Sequence, residues 1–223
     1  DRAAHRAVDV IPFMAIDEAL RSAGFSAPDI FAADLDAGLL LVEDLGSELL
    51  VRDGVADPDR YRAAVEVLAA LHGVKRPAEI VWHGGIYRLP SYDAGALSTE
   101  LSLFTDWYAP RRAGEALSSG VADEFRAIWA VLIQEAASTE ASWVLRDFHS
   151  PNLLWLPERT GNQRVGLLDF QDALYGPSAY DVASLLQDAR ADVSKALEAE
   201  LKAHYVALRR ASGPFDEAGF HAA

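Results

Sequence analysis

Apolar positions recur at helical spacing in some stretches of this chain and in short strand-like runs in others, and their order outlines the architecture. Over residues 8–23, Ile11, Met14, Ala15 and Ala19 fall on one helical face; Gly24 supplies a stop and Pro28 keeps the helix from resuming. Two apolar runs, 29–33 and 39–43, read as strands joined by the turn Asp36-Ala37-Gly38. Beyond Asp44-Leu45-Gly46 the pattern becomes helical. Asp57 and Pro58 open a helix whose apolar face runs from Tyr61 to Leu71 and which closes at His72-Gly73. Residues 74–92, holding Gly84, Gly85 and Pro90, read as a long connector, followed by helices over 93–108 and 121–137. Short strands are predicted at 143–146, 153–156 and 164–168, the last two separated by a turn over 157–163, and helices over 178–190 and 192–210 end the chain. The pattern therefore predicts an α+β protein: a small strand-containing piece, a hinge, and a larger helical piece with its own strand cluster.

Composition adds mainly exclusions. The 223 residues are 51% hydrophobic and 24% charged, ordinary for a globular protein with a substantial core. Without cysteine the chain has no disulfide, thiolate nucleophile or cysteine-held metal, which fits a cytoplasmic location. No apolar run approaches a membrane span and no signal peptide is visible, so no membrane partner is expected. A net charge of −14 argues against general nucleic-acid binding. It would draw cationic substrates, although the same acidity also serves plain solubility.

The chemistry is concentrated in WVLRDFHSPNLLWL and GLLDFQDALYGPSAYD, between Trp143 and Asp181. Asp147 follows a strand-like run and leads a loop that Asn152 closes; Asp169 ends the next apolar strand. Phosphoryl transfer to a hydroxyl needs this set: one carboxylate to orient the attacking oxygen, and oxygen ligands for magnesium on the nucleotide phosphates. Alone, Asp147 or Asp169 would pass for a turn residue after a strand. Together, with room for a strand, a turn and a returning strand between Asn152 and Asp169, they converge on one site. His149 lies inside the loop and His72 at a helix end, and both read as structural rather than as bases. Gln171 and Asp172 lie just past Asp169, where an acceptor could meet them.

The spelling R-D-F-H-S-P-N with L-L-D-F-Q-D resembles the aminoglycoside phosphotransferase and choline kinase superfamily, which shares the protein-kinase fold. LRDFHSPNLLWL with GLLDFQDALYGPSAYDVASLL is most similar to bacterial cell-wall amino-sugar kinases, which phosphorylate C1 of N-acetylmuramate or N-acetylglucosamine; the similarity covers residues 12–191. The resemblance implies a two-lobed fold, with residues 1–44 as the remainder of a nucleotide-binding lobe and 45–223 as the catalytic lobe. It makes Asp147 the catalytic base and Asn152 and Asp169 the magnesium ligands. Arg146, His149 and Asp181 become supports of the catalytic loop. Ser178-x-x-Asp181 also spells a helix capping box. Glu43 and Leu45 match the hinge whose backbone holds adenine. Glu100, Trp107 and Tyr108 fall on the helix that borders the acceptor pocket, where the aromatics could equally be core.

The match has departures. Leu145 stands where relatives carry histidine, and neither a glycine-rich loop nor a strand lysine is identifiable. Asp9, Asp17 and Glu18 are candidates for the acidic partner of such a lysine, while Phe13 falls at the expected acidic position. Since Asp1 is not a natural start residue, a trimmed chain is expected, with a degenerate kinase as the alternative. The resemblance implies an ATP- and magnesium-dependent kinase of a small hydroxyl compound, preferably a sugar or amino sugar. An aminoglycoside or choline-type acceptor is the alternative, and a non-catalytic nucleotide-binding relic is the rival of another class. A protein substrate is disfavoured, because no activation segment separates Asp169-Phe170 from the helix at Ser178.

Overall fold

The computed structural model describes residues 9–222. Its first helix, α1 (Ile11–Ser22), buries Met14, Ala15, Ile16, Asp17 and Leu20; of the predicted face, Met14 and Ala15 are buried and Ala19 half-buried, while Ile11 at the helix start is 40% exposed. The N-terminal end of the predicted helix, residue 8, lies outside the described residues. A hairpin follows, β1 (Ile30–Asp34) with β2 (Leu39–Val42), then a second, β3 (Val51–Arg52) with β4 (Val55–Ala56). The second hairpin escapes the sequence pattern because its strands are two residues long; Asp53 and Gly54 at its tip have φ of 52° and 79°, both left-handed as a tight hairpin turn requires. Helix α2 (Pro58–His72) begins as expected, with the Asp57 carboxylate accepting from the amides of Asp59 and Arg60. It forms the centre of the core: Tyr61, Ala64, Val65, Val67, Leu68 and Leu71 are buried.

The predicted connector 74–92 is instead largely a hairpin, β5 (Glu79–Trp82) with β6 (Gly85–Arg88). Helix α3 (Ala94–Leu103) passes into a π-helical turn at Phe104–Tyr108 and a short α4 (Ala109–Ala113), so the predicted single helix is longer and irregular. Helix α5 (Ser119–Ala137) matches its prediction. Strand β7 (Ala141–Val144) forms two residues earlier than predicted, and β8 (Leu153–Trp155) and β9 (Val165–Leu167) form with trimmed ends. A tenth strand, β10 (Leu174–Pro177), pairs antiparallel with β7, while β8 pairs with β9. Helices α6 (Ala179–Leu186), α7 (Lys195–Ser212) and α8 (Glu217–Ala222) complete the chain; α6 is shorter than predicted and α8 was not foreseen. Helix α7 lies against α2, where Leu201 and Tyr205 are fully buried.

Two bridges dock on the β8–β9 hairpin, one from the N-terminal piece and one from just beyond the hinge. Ser26 pairs with Gly166 and Leu49 with Leu154, reinforced by the Leu167 amide on the Ser26 carbonyl at 2.7 Å. The hairpin that carries the chemistry is thus shared by both parts of the chain.

Candidate active site

Strand β7 ends at Val144, and the chain then makes a tight reversal. The Asp147 amide donates to the Leu145 carbonyl at 2.8 Å, and Arg146 between them has φ of 69°. A hydrogen bond spanning two residues about a positive φ is a γ-turn of the strained kind, which persists only where its surroundings hold it. Asp181 does so. Fully buried on α6, its carboxylate accepts from the amides of Leu145 (2.7 Å) and Arg146 (2.9 Å). Burial pushes the Asp181 carboxyl up to about 7, against the two amides, which favour the charged form. The capping-box alternative is overturned: Ser178 makes no side-chain cap, because Asp181 points across to the loop instead. Leu145, at the place of the relatives' histidine, is buried in the core.

The Asn152 amide joins Asp147 to Asp169. Its Nδ2 donates to the Asp147 carbonyl at 3.0 Å and to Asp169 Oδ2 at 3.2 Å. The 17-residue separation of Asn152 and Asp169 is the β8–β9 hairpin itself, with Leu153 opposite Leu167, so both stand at its open base. Asp169 is exposed and has φ of 57°, a second left-handed non-glycine residue in the site. Its neighbour Phe170 is buried and stacks on Phe13 of α1, ring centroids 4.9 Å apart. Since Nδ2 is occupied, Asn152 Oδ1 is the atom left to face a cation. One carboxylate and one amide oxygen are too few to cage a metal, but they suit magnesium, which keeps waters and takes phosphate oxygens.

The predicted supports cluster here. His149 is buried with Nε2 3.4 Å from Asp147 Oδ1, and its amide donates to the Asp147 carbonyl at 3.0 Å. Arg146 pairs with Glu100 at 2.7 Å, and Glu100 in turn accepts from the Tyr92 hydroxyl. Glu100 therefore ties α3 to the loop as well as bordering the site. Gln171 Nε2 donates to Asp169 Oδ1 at 2.6 Å, and Asp172 is exposed beside it. Trp107 is 73% exposed on the π-helical turn and, among the described residues, makes no hydrogen bond with this cluster. The hinge residues lie elsewhere, around a cavity of 340 Å³ that Glu43 to Glu48 line with Trp155 to Arg159. The Glu43 carboxylate is taken by Arg159 (2.7 Å) and the Asp29 amide (3.1 Å), while the Leu45 backbone groups enter none of the loop's hydrogen bonds.

Two residues of the site were missed. Asp188, buried beyond α6, accepts from the Ser150 amide at 2.9 Å and holds the far half of the loop. Its signal was a second acid two helical turns after Asp181. Tyr92 could be found only from the fold.

A model of the phosphotransferase enzyme family (APH) matches residues 1–215. The chain belongs to this family. Among curated members of the phosphotransferase enzyme family, the N-acetylmuramate/N-acetylglucosamine kinase of Caulobacter vibrioides is 38% identical over 200 residues, 88% of this chain and 55% of the relative. The enzyme of the same name from Pseudomonas aeruginosa is 35% identical over 184 residues, 81% of this chain and 50% of its own length. The chain spans about half the length of these relatives. A choline kinase from Streptococcus pneumoniae superposes with a TM-score of 0.64 over 97% of this chain and 70% of its own at 13% identity. An aminoglycoside phosphotransferase from Streptomyces rimosus, solved with ADP and streptomycin, gives 0.61 over 98% and 81% at 15% identity. These neighbours show the fold expected for the phosphotransferase family, a kinase-like α+β fold of two lobes.

Proposed function

We propose that this chain carries the phosphoryl-transfer machinery of an ATP- and magnesium-dependent kinase that acts on a hydroxyl of a small molecule, a sugar or amino sugar. The observation that carries the reading is Asn152, whose one amide nitrogen reaches both the Asp147 carbonyl and the Asp169 carboxylate. In this reading the Asp147 carboxylate accepts the hydrogen bond of the acceptor hydroxyl and turns its oxygen toward the γ-phosphate. Asn152 Oδ1 and Asp169 would hold magnesium, which when bound neutralises charge on the transferring phosphate. Asp181 and Asp188 keep the loop in place, and Glu43 to Leu45 offer backbone groups to adenine. Residues up to Asp44 belong to the nucleotide lobe and those from Leu45 onward to the catalytic lobe. The amino-sugar preference is supported by the printed activity of the two curated relatives.

The test uses the whole protein with Mg-ATP and an acceptor panel of N-acetylmuramate, N-acetylglucosamine, kanamycin and choline, followed by phosphorus NMR. Phosphorylation is expected at the anomeric position of the amino sugars. Asp147→Asn should lower turnover by roughly 10²–10⁴-fold while Mg-nucleotide binding survives. Turnover near wild type in that variant would sink the assignment. Nucleotide binding with no turnover on any acceptor would favour a non-catalytic relic.

A further inference from the structure

We propose that the β5–β6 hairpin is a strap that fixes α1 against the metal-binding segment, with His83 and Glu18 as positioning residues. The proposal rests on the reading of Asp169 as the magnesium ligand.

Among the described residues, α1 packs chiefly against β5. The hairpin buries Ile80 and Trp82 inward, and its tip reaches α1 through a single acid. The His83 amide donates to Glu18 Oε1 at 3.0 Å and lies 3.3 Å from Oε2, and His83 Nδ1 faces Oε2 at 2.5 Å. The tip is built to present these groups. Trp82 pairs with Gly85, whose φ is 125°, and the Trp82 ring covers Gly84 so closely that a Cβ there would collide with it. The Trp82 and His83 rings then meet edge to face at 4.7 Å. On the other strand, Tyr87 is half-buried and packs against the core. The hairpin is thus held to α1 at its tip and to the core along its inner face.

The consequence follows along α1. Phe13, on its first turn, supplies the ring that stacks on Phe170, and Asp169 precedes Phe170 in a left-handed backbone conformation that depends on support. Releasing Glu18 from His83 frees α1 to shift, and Phe13 moves with it. Asp169 then loses the packing that holds its carboxylate toward Asn152. His83 and Glu18 touch neither nucleotide nor acceptor in this account; they act through Phe13 and Phe170.

The test compares Glu18→Ala and His83→Ala in the whole protein with Glu18→Gln, which keeps an acceptor for the His83 amide, and with Ile86→Thr on the hairpin's exposed face. Hydrogen exchange at α1 and at residues 170–172, Mg-ADP affinity, and kcat and KM for the acceptor are measured. The clasp is an exposed pair, so the expected effect is modest: roughly two- to fivefold weaker Mg-ADP binding and lower kcat, with faster exchange at both segments. Acceptor KM should hold, Glu18→Gln should recover most of the loss, and Ile86→Thr should change nothing. Unchanged exchange at 170–172 in both alanine variants would overturn the strap. So would equal losses in Ile86→Thr, which would mark general destabilisation. If wild type binds no Mg-ADP the reading of Asp169 fails instead, and the exchange data still decide the strap.

Discussion

Asp181 shows how one side chain links the sequence pattern to both stability and loop geometry. Its carboxyl ordinarily titrates at 3.8 and is pushed up to about 7, chiefly by burial. The folded state therefore holds this proton more tightly than the unfolded chain does. The resulting stabilisation is complete below 3.8, shrinks as pH rises and is gone above about 7. Asp17, also buried and raised to about 7, acts in the same direction. Melting temperature should fall by roughly 5 °C between pH 5 and pH 8, and Asp181→Asn should flatten that slope. An unchanged slope in the variant would remove Asp181 as its source. The asparagine offers one acceptor oxygen where two amides need accepting, so turnover should drop as well, with the γ-turn at Arg146 less firmly held. Asp147, Asn152 and Asp169 could be singled out in the sequence as a converging set, since the chemistry restricts which side chains fit, and Asp181 through the family resemblance. Asp188 could not, because a buried acid past a helix end resembles a surface one until the fold shows what it faces.

At the scale of elements, legibility followed amphipathicity. Helices α1, α2 and α5 and the β1–β2 hairpin announce themselves by period and by Pro or Gly punctuation. The β5–β6 hairpin did not, because Val81 (80% exposed) and Ile86 (71%) put apolar residues on its outer face and erase the alternation. Strand β10 contains Gly176 and Pro177, residues that ordinarily argue against a strand; a two-stranded ribbon tolerates them. The glycine has a specific purpose. A Cβ at 176 would stand 2.6 Å from Tyr92 Cβ and 2.8 Å from the Tyr92 carbonyl oxygen. Gly176→Ala should therefore cost about 1–3 kcal/mol in urea unfolding and disturb the Tyr92–Glu100–Arg146 connection. A variant as stable as wild type would mean that the 90–92 segment yields easily.

Across the whole molecule, apolar surface is unevenly distributed. Helix α5 runs 19 residues with Ala122 and Ile133 as its buried members, while Val121, Ile128, Val131 and Leu132 are exposed. Phe104, Phe125 and Trp129 form an aromatic row between the π-helical turn and α5. A face of this kind favours association. The 223-residue chain should self-associate with rising concentration in sedimentation, and Ile128→Lys with Val131→Lys should suppress it; monomeric behaviour in both forms would refute this. The β8–β9 hairpin has a consequence of a different sort. Because Asn152 and Asp169 stand at its base, their spacing is set by strand register and is indifferent to how far the loop at the other end extends. A slip of one residue would turn every side chain of the strand to the opposite face. A change of length in the turn around Gly161 and Asn162 would therefore leave Asn152 and Asp169 in register with each other and be felt instead at Arg159, which holds Glu43.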